Sequence, residues 1–497
     1  MRVDQGMPPL TTTEETIALL HLAFPTFVNI LSFFALSMVE MIVAGHLGTS
    51  EMTAVAFSQI VFDLSIVVFT QGFNRGLSSV GSQAFGAKNM VLLGRYAQVG
   101  CIGITVVTAP LALLWWFVGD ILGGLGIATS PDTIILAKQY SHLCVLWIWP
   151  RLMFNYVSVY FNTQQIVVPT AIISLVFASL HVGVNFVLVF GMPSCGWHGF
   201  GFLGLPLAMA FTQYTRLIVY LVYMMGFKQY HRASWMWTLD CLDWKYLRGQ
   251  VVVGMPLALG TLFENLQLQA MAFMAATQGE VSLDGHNAML GLLFVLNSPI
   301  YGLSTAGILR IGMYLGANHP IQAKRVGLIL RLSVFVIALV TTTVLVLCRG
   351  IVGHLYSIDP AVWASMTQIC TLSAAGYLVL SFFYSSMAIL TGQARAPPIL
   401  GTFPSLVIVV VPDLVAVAFF TGAWLTGVPT AYMLGLRWHL GLLGIWIGMA
   451  LGYVVTALIT NGAVATSEWD EEAARAVERS KAKQVETERP TEATRLV

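Results

Sequence analysis

The stretch GLSSVGSQAFGAKN fills residues 76–89, and a near echo, GLSTAGILRIGMYLGANH, fills residues 302–319. Aligned on Gly86-Ala87 and Gly316-Ala317, the two lie 230 residues apart in a chain of 497. Each closes a long apolar run and leads into a basic turn, so each reads as the end of a helix. Three further pairs keep the same order. Pro25 and Pro256 stand early in apolar runs at an offset of 231. Tyr156, Ser158 and Gln165 correspond to Tyr384, Ser386 and Gln393 at an offset of 228. FLGLPLAMA (202–210) corresponds to LLGIWIGMA (442–450) at 240. Four anchors in one order at nearly one offset mean that a single unit occurs twice.

The composition says what kind of unit it is. Hydrophobic residues make up 57% of the chain and charged ones 9%, against about 25% charged in soluble domains. With a mean hydropathy of +0.78, so few charges cannot solvate the surface of a water-soluble protein of this size. The chain reads as a polytopic membrane protein. A net charge of +1 offers no basic stripe for nucleic acid. The six cysteines are scattered without CxxC pairs, so neither a disulfide framework nor a metal site is expected, and no cofactor is implied. The N-terminus carries polar residues where a signal peptide has its apolar core. Thr12 and Glu15 have the spacing of a capping box opening the first helix.

Runs long enough to cross a bilayer core of about 30 Å fall near 17–44, 54–79, 96–119, 134–161, 167–190 and 200–226. A second group falls near 249–277, 287–311, 326–348, 364–391, 398–424 and 439–464. The expected fold is therefore all-α and integral to the membrane, with twelve transmembrane helices in two pseudo-symmetric six-helix lobes. Its parts are an N-terminal segment (1–15), an N-lobe (16–226), a linker (227–248), a C-lobe (249–464) and a C-terminal tail (465–497). The linker holds Trp235, Trp237 and Trp244 among charges, as at a membrane interface. With both termini cytoplasmic, Lys88, Arg95, Lys228, Arg310, Lys324 and Arg325 fall inside, while only Lys138, Arg349 and Arg437 fall outside. The mixed-charge tail is expected to be a mobile cytosolic segment.

Charged groups inside a bilayer are costly, so each is a candidate for function. Glu264 lies midway along the seventh span in GMPLALGTLFENLQLQAMAF, beside Asn265, Gln267 and Gln269. Burial penalises the charge of such a carboxyl, which suits it to carry a proton reversibly. Glu40 stands in FALSMVEMIVAGHLG, Asp63 in FSQIVFDLSIVVF one turn from Gln59, and Asp413 after Pro412. Glu40 and Asp63 fit either ion coupling or structural roles, and Asp413 fits either coupling or the capping of a broken helix. Arg151, deep in the fourth span, requires a partner, whereas Arg310 stands near a helix end where its head can reach water. Plentiful aromatics together with one or two carboxylates would suit a cavity for a flat organic cation.

These residues together resemble the multidrug and toxic compound extrusion (MATE) family over residues 15–464. The carriers are Pro25 leading into VEMIVAGHLG (39–48), SQAFGAKN (82–89), Pro256 with Glu264, GLSTAGILRIGMYLGAN (302–318) and GLLGIWIGMALG (441–452). The resemblance implies an exporter with two six-helix lobes around a V-shaped cavity, driven by inward flow of H⁺ or Na⁺. It implies that Glu264 holds the position of the family's coupling carboxylate, and that Glu40 stands where many bacterial members carry Asp. Two positions depart from the pattern: Gln269 stands where plant-type members often have a second Glu, and Tyr384 is the best match to a tenth-helix acid. Fewer carboxylates make a Na⁺ site harder to build, which favours protons.

The expected function is secondary antiport of organic cations, drugs or metabolites against protons by alternating access. Glu264, Glu40 and Asp63 are the ion-coupling candidates, and Asn265, Gln269 and Tyr384 the candidates for the substrate cavity. The alternatives are export of organic anions such as citrate or of lipid-linked precursors, and Na⁺ coupling. The chain has no HExxH, GxSxG or P-loop, so neither an enzyme nor an ATP-driven pump is expected. The expected partners are a small organic substrate, H⁺ or Na⁺ and the lipid bilayer, with no nucleic acid. The chain is expected to act as a monomer in a plasma membrane or a vacuolar or lysosomal type of membrane.

Overall fold

The computed structural model describes residues 10–124, 131–192, 196–235, 243–355, 360–394 and 414–481. Asp413 and Trp237 lie outside the described residues. Among the described residues twelve long helices follow one another: α1 (Thr12–Leu47), α2 (Thr49–Gly86), α3 (Met90–Trp116), α4 (Pro131–Thr163), α5 (Val168–Phe190), α6 (Gly201–Phe227), α7 (Trp244–Ala276), α8 (Glu280–Gly316), α9 (Pro320–Leu347), α10 (Pro360–Gln393), α11 (Val415–Arg437) and α12 (Gly441–Ala465). Among the described residues, ten of these are apolar enough to cross a membrane on length and composition; α2 and α4 are not among the ten. This is an all-helical, multi-pass membrane fold of twelve helices in two lobes.

The chain packs as two compact units. The larger comprises Met1–Phe27, Ser78–Asn89 and Leu259–Val497, and the smaller comprises Val28–Leu77 and Met90–Ala258. Helices α1, α2 and α7 thus each give residues to both.

In the larger unit the two echoing phrases pack on each other. A Cβ at Gly86 would lie 1.9 Å from the Met313 carbonyl oxygen, and one at Gly316 would lie 2.0 Å from that of Gln83. Each glycine therefore meets the residue three places before the other glycine, and only glycine lets the two backbones come this close. Both helices end alike. Lys88 (φ 59°) and Asn318 (φ 62°) take the left-handed conformation. The next amides, of Asn89 and His319, reach back to the carbonyls of Ala84 (2.9 Å) and Tyr314 (2.8 Å). This is the backbone closure of a Schellman-type cap.

Several local expectations need correction. The capping box of α1 is Thr11 with Glu14: the Thr11 amide donates to Glu14 Oε2 at 2.8 Å, and the Glu14 amide donates to Thr11 Oγ1 at 3.3 Å. Glu15, one position on, faces inward instead. It forms a two-pronged ion pair with Arg310, whose Nη2 lies 2.8 Å from Glu15 Oε2, and it accepts the Tyr314 hydroxyl at 2.8 Å. Arg310 is thus buried and paired rather than reaching for water. Helix α11 runs to Arg437, beyond the expected end at 424. Wide π-helical turns at Phe420–Gly427 and Tyr432–Arg437 take in Gly427 and Gly435, and the α-helical turn Val428–Ala431 between them takes in Pro429 near its start. The linker's Ser234 packs on Gly94, and the ring of Trp235 lies 5.5 Å from that of Tyr160.

The first part of the tail is a helix, α13 (Trp469–Lys481), packed against α8, α9 and α10. Ala473 and Ala476 are fully buried. Arg479 donates to Gln83 Oε1 (3.1 Å) and to the carbonyls of Gln393 (3.1 Å) and Ala394 (3.3 Å). The Asn89 side-chain amide donates to the Ser480 carbonyl at 3.0 Å. The mixed-charge composition hid an amphipathic period that buries one alanine stripe.

Replacing Gly316 by Ala is expected to destabilise the protein by about 1–3 kcal/mol or more, since backbone rather than a flexible side chain must move. Gly462→Ala, where a Cβ meets nothing within 4 Å, is the control. Thermal unfolding in detergent, followed by fluorescence-detected size exclusion, should show a lower midpoint for the first variant and no change for the second.

Candidate functional site

Within the larger unit, α7, α8, α10 and α12 line a partly open cavity. Glu264 and Leu268, four residues apart, bring one face of α7 into it. From α8 come Leu290, Leu293, Phe294 and Asn297, and from α10 Tyr377 and Tyr384. Trp446, Met449 and Tyr453 of α12 close the far wall. Glu264 is the one carboxylate among the described lining residues, and no lysine or arginine joins it.

The carboxylate is held by phenols. The Tyr384 hydroxyl donates to Glu264 Oε1 at 2.8 Å, and the Tyr301 and Tyr384 hydroxyls are hydrogen-bonded at 3.0 Å. The two tyrosine rings meet edge to face with centroids 5.0 Å apart. Tyr453 lies within electrostatic range of both Glu264 and Tyr301. On the backbone side of this turn, Trp424 of α11 donates to the Phe263 carbonyl at 3.1 Å, and Tyr377 ties α10 to the Leu296 carbonyl of α8 at 2.9 Å. Helix α7 is thereby fixed at the residue next to the carboxylate. The result is one negative group in an aromatic, largely apolar chamber. Such a chamber can hold a single compensating charge: a proton, or a cation with apolar surface.

A second carboxylate is buried in the smaller unit. Glu40 is 2% exposed, and its Oε2 accepts from the Tyr140 hydroxyl at 3.3 Å and the Gln59 amide at 3.5 Å. Its Oε1 is buried without a partner among the described residues. Arg151 is coupled electrostatically to Asp63 and Glu40. Its guanidinium lies over the rings of Phe33 (4.6 Å) and Trp147 (5.2 Å). The partners it requires are thus aromatic faces together with two acids at longer range.

Of the residues singled out from sequence, Glu264 and Tyr384 come together in the cavity. Asn265 turns to its own helix, donating to the Thr261 carbonyl at 2.8 Å, and Gln269 is exposed. Neither lines the cavity. Asp63 is exposed, and Glu40 lies in the other unit. Reading the sequence missed Tyr140, Tyr301, Asn297 and Tyr453. For Asn297 the signal was available, because it continues the face of α8 set by Leu290, Leu293 and Phe294.

The MatE family model matches residues 25–187 and again 256–415. The two matches begin at the prolines that anchor the repeat. Multidrug and toxin extrusion protein 1 of Oryctolagus cuniculus is 25% identical over 458 residues, which cover 92% of this chain and 76% of that protein. Protein DETOXIFICATION 15 of Arabidopsis thaliana is 26% identical over 471 residues, 94% of this chain and 91% of that one. Among solved structures, the eukaryotic MATE transporter AtDTX14 superposes with a TM-score of 0.83 at 20% identity, covering 94% of this chain and 99% of that one. The Vibrio cholerae MATE transporter VcmN, in its bent form, gives 0.78 at 14% identity, with 94% and 99% covered.

A double-mutant cycle tests the phenol–carboxylate contact. Tyr384→Phe and Glu264→Gln, alone and together, are expected to show a coupling of about 1.5–3 kcal/mol in thermal unfolding, the range for a hydrogen bond to a charged group. Additive effects would mean that the contact contributes nothing.

Proposed function

The chain belongs to the MatE family of membrane transporters, and from that premise we propose that it exports organic cations, drugs or metabolites, in exchange for protons carried by Glu264. Like other members it is a transporter and not an enzyme, and it acts on small molecules across a membrane.

One observation carries the reading. A single carboxylate, held by a tyrosine, stands in an aromatic chamber that has no basic side chain among its described lining residues. A cation with flat apolar surface would gain both the charge of Glu264 and the ring faces of the chamber. The same arrangement disfavours a citrate-like anion, which would need arginines. Sodium would need several oxygen ligands, and one carboxylate with phenols offers it less than it offers a proton.

In the cycle, the ionised carboxylate binds the cation when the chamber opens to the cytoplasm. After the lobes rock, a proton from the far side takes the carboxylate, its attraction for the cation ends, and the cation leaves. The protonated chain returns and releases the proton inside. Proton and substrate thus compete for one charge, and this competition provides the differential affinity that coupling requires. Glu40, with Asp63 and Arg151, forms a second coupling site in the smaller unit. Asn265 and Gln269 stay outside the binding surface. The orientation has both termini in the cytoplasm, in a plasma or vacuolar type of membrane, with the chain acting as a monomer. The names of the relatives, multidrug and toxin extrusion protein 1 and DETOXIFICATION 15, support the substrate class.

Proteoliposomes loaded with acidic buffer and supplied with external ethidium provide the test. Uptake should follow the imposed pH gradient and be unaffected by a Na⁺ gradient. Glu264→Gln should lower gradient-driven uptake by at least about a hundredfold, as expected when an essential proton carrier is removed. Uptake driven by Na⁺ alone, or full uptake by the variant, would contradict the proposal.

A further inference from the structure

Helix α8 presents His286, Leu290, Leu293, Phe294 and Asn297 at spacings of three and four residues, so all five share one face. The last four line the cavity of Glu264, and His286 stands one turn beyond them toward the Glu280 end. The position is fully buried. Gly285, its neighbour, abuts Ser365 of α10 and Leu442 of α12. The imidazole meets the cavity-lining Trp446 edge to face, with centroids 5.6 Å apart.

Buried polar atoms are nearly always hydrogen-bonded, to protein or to ordered water. Here both ring nitrogens of His286, Nε1 of Trp446 and Oδ1 of Asn297 are buried without a protein partner among the described residues. His286 and Asn297 stand on one face of α8, and Trp446 meets His286 from α12. Ordered water is the partner such atoms ordinarily take where the protein offers none. The surroundings set no competing charge beside the imidazole. Helices α10 and α12 contain no charged residue, and their titratable groups are Cys370, Tyr377, Tyr384 and Tyr453. On α8 itself Asp284 is exposed, and Arg349 just after α9 is exposed. At the opposite end of α8, Arg479 of α13 donates to Gln83 of α2, whose carbonyl lies against Gly316.

We propose that His286 is the proton relay between the non-cytoplasmic solvent and Glu264. One ring nitrogen takes a proton from the water on the Glu280 side. The other gives up its proton to the water beside Trp446 and Asn297, from which Glu264 receives it. One proton enters and one leaves, and the imidazole ends neutral in the other tautomer, which a ring flip resets. Histidine is suited to this step because its two ring nitrogens can exchange donor and acceptor roles. Because the relay works through Glu264, it is a positioning and conducting group, and the inference rests on the reading of Glu264 as the proton carrier.

The test uses the full chain in proteoliposomes, with ethidium as the probe and the lumen set between about pH 5 and pH 8. Wild type, His286→Gln and His286→Phe are compared, with ethidium affinity and unfolding midpoint measured for each. Glutamine keeps hydrogen bonding without titration, and phenylalanine keeps the packing on Trp446. Both variants should lose at least about tenfold in maximal uptake rate. Both should leave the ethidium concentration for half-maximal uptake unchanged and flatten the dependence on lumen pH. Either variant showing the wild-type rate and pH profile would overturn the relay. So would a loss of rate matched by an equal loss of ethidium affinity, since that marks a structural role. If wild-type uptake ignores the pH gradient, the proton reading of Glu264 fails and the relay fails with it. A wild type driven by protons beside unchanged variants would remove the relay alone.

Discussion

The larger unit depends on a contact that admits no side chain. Gly86 and Gly316 each lie against a carbonyl of the other's helix, and the geometry is reciprocal because the two helices are copies of one sequence phrase. Without Cβ atoms the helix ends approach to backbone distance, where dispersion and close packing replace the hydrophobic driving force that a bilayer does not supply. The neighbouring polar groups then find partners only in this arrangement. Ser79 donates to the Thr391 carbonyl at 2.5 Å, and Gln83 donates to that of Gly392 at 3.0 Å. Glu15 and Arg310 bury their charges together in the same unit. The shared spacing of the echo is thus a steric requirement of the fold.

The two halves of the repeat differ in chemistry. Each holds a carboxylate that receives a tyrosine hydroxyl, Tyr140 to the buried Glu40 and Tyr384 to the half-buried Glu264. In the smaller unit that carboxylate shares its surroundings with Arg151, whose charge is partly spread over aromatic faces. In the larger unit the carboxylate faces an aromatic chamber with no cation among its described lining residues. An external cation is therefore the natural complement of the second site and not of the first. Duplication supplied the frame, and divergence of a few side chains separated the roles.

Much of this was legible in the residues. Apolar run length is a strong signal, so eleven of the twelve spans lie close to where periodicity places them. Helix α11 escaped because Gly427, Pro429 and Gly435 break the apolar run, while the helix passes through them by alternating π-helical and α-helical turns. Arg310 was misread because its partner lies 295 positions away, a separation that local patterning does not reveal. Within the site, Glu264 stood out as a charge among apolar residues. Gln269 did not belong with it, since five residues along a helix rotate the side chain by about 140° to another face. Tyr301 and Tyr453 were hidden by their commonness. In a chain this rich in aromatics, only the tertiary contact shows which ones matter.

The central claim is that a proton and an organic cation compete for one carboxylate. Calorimetric binding of ethidium to the purified transporter, repeated in buffers of different ionisation enthalpy, counts the protons released per bound cation. The account predicts close to one proton released by wild type and none by Glu264→Gln, with the variant's affinity much reduced. Cation binding without proton release, at an affinity that the variant retains, would contradict it.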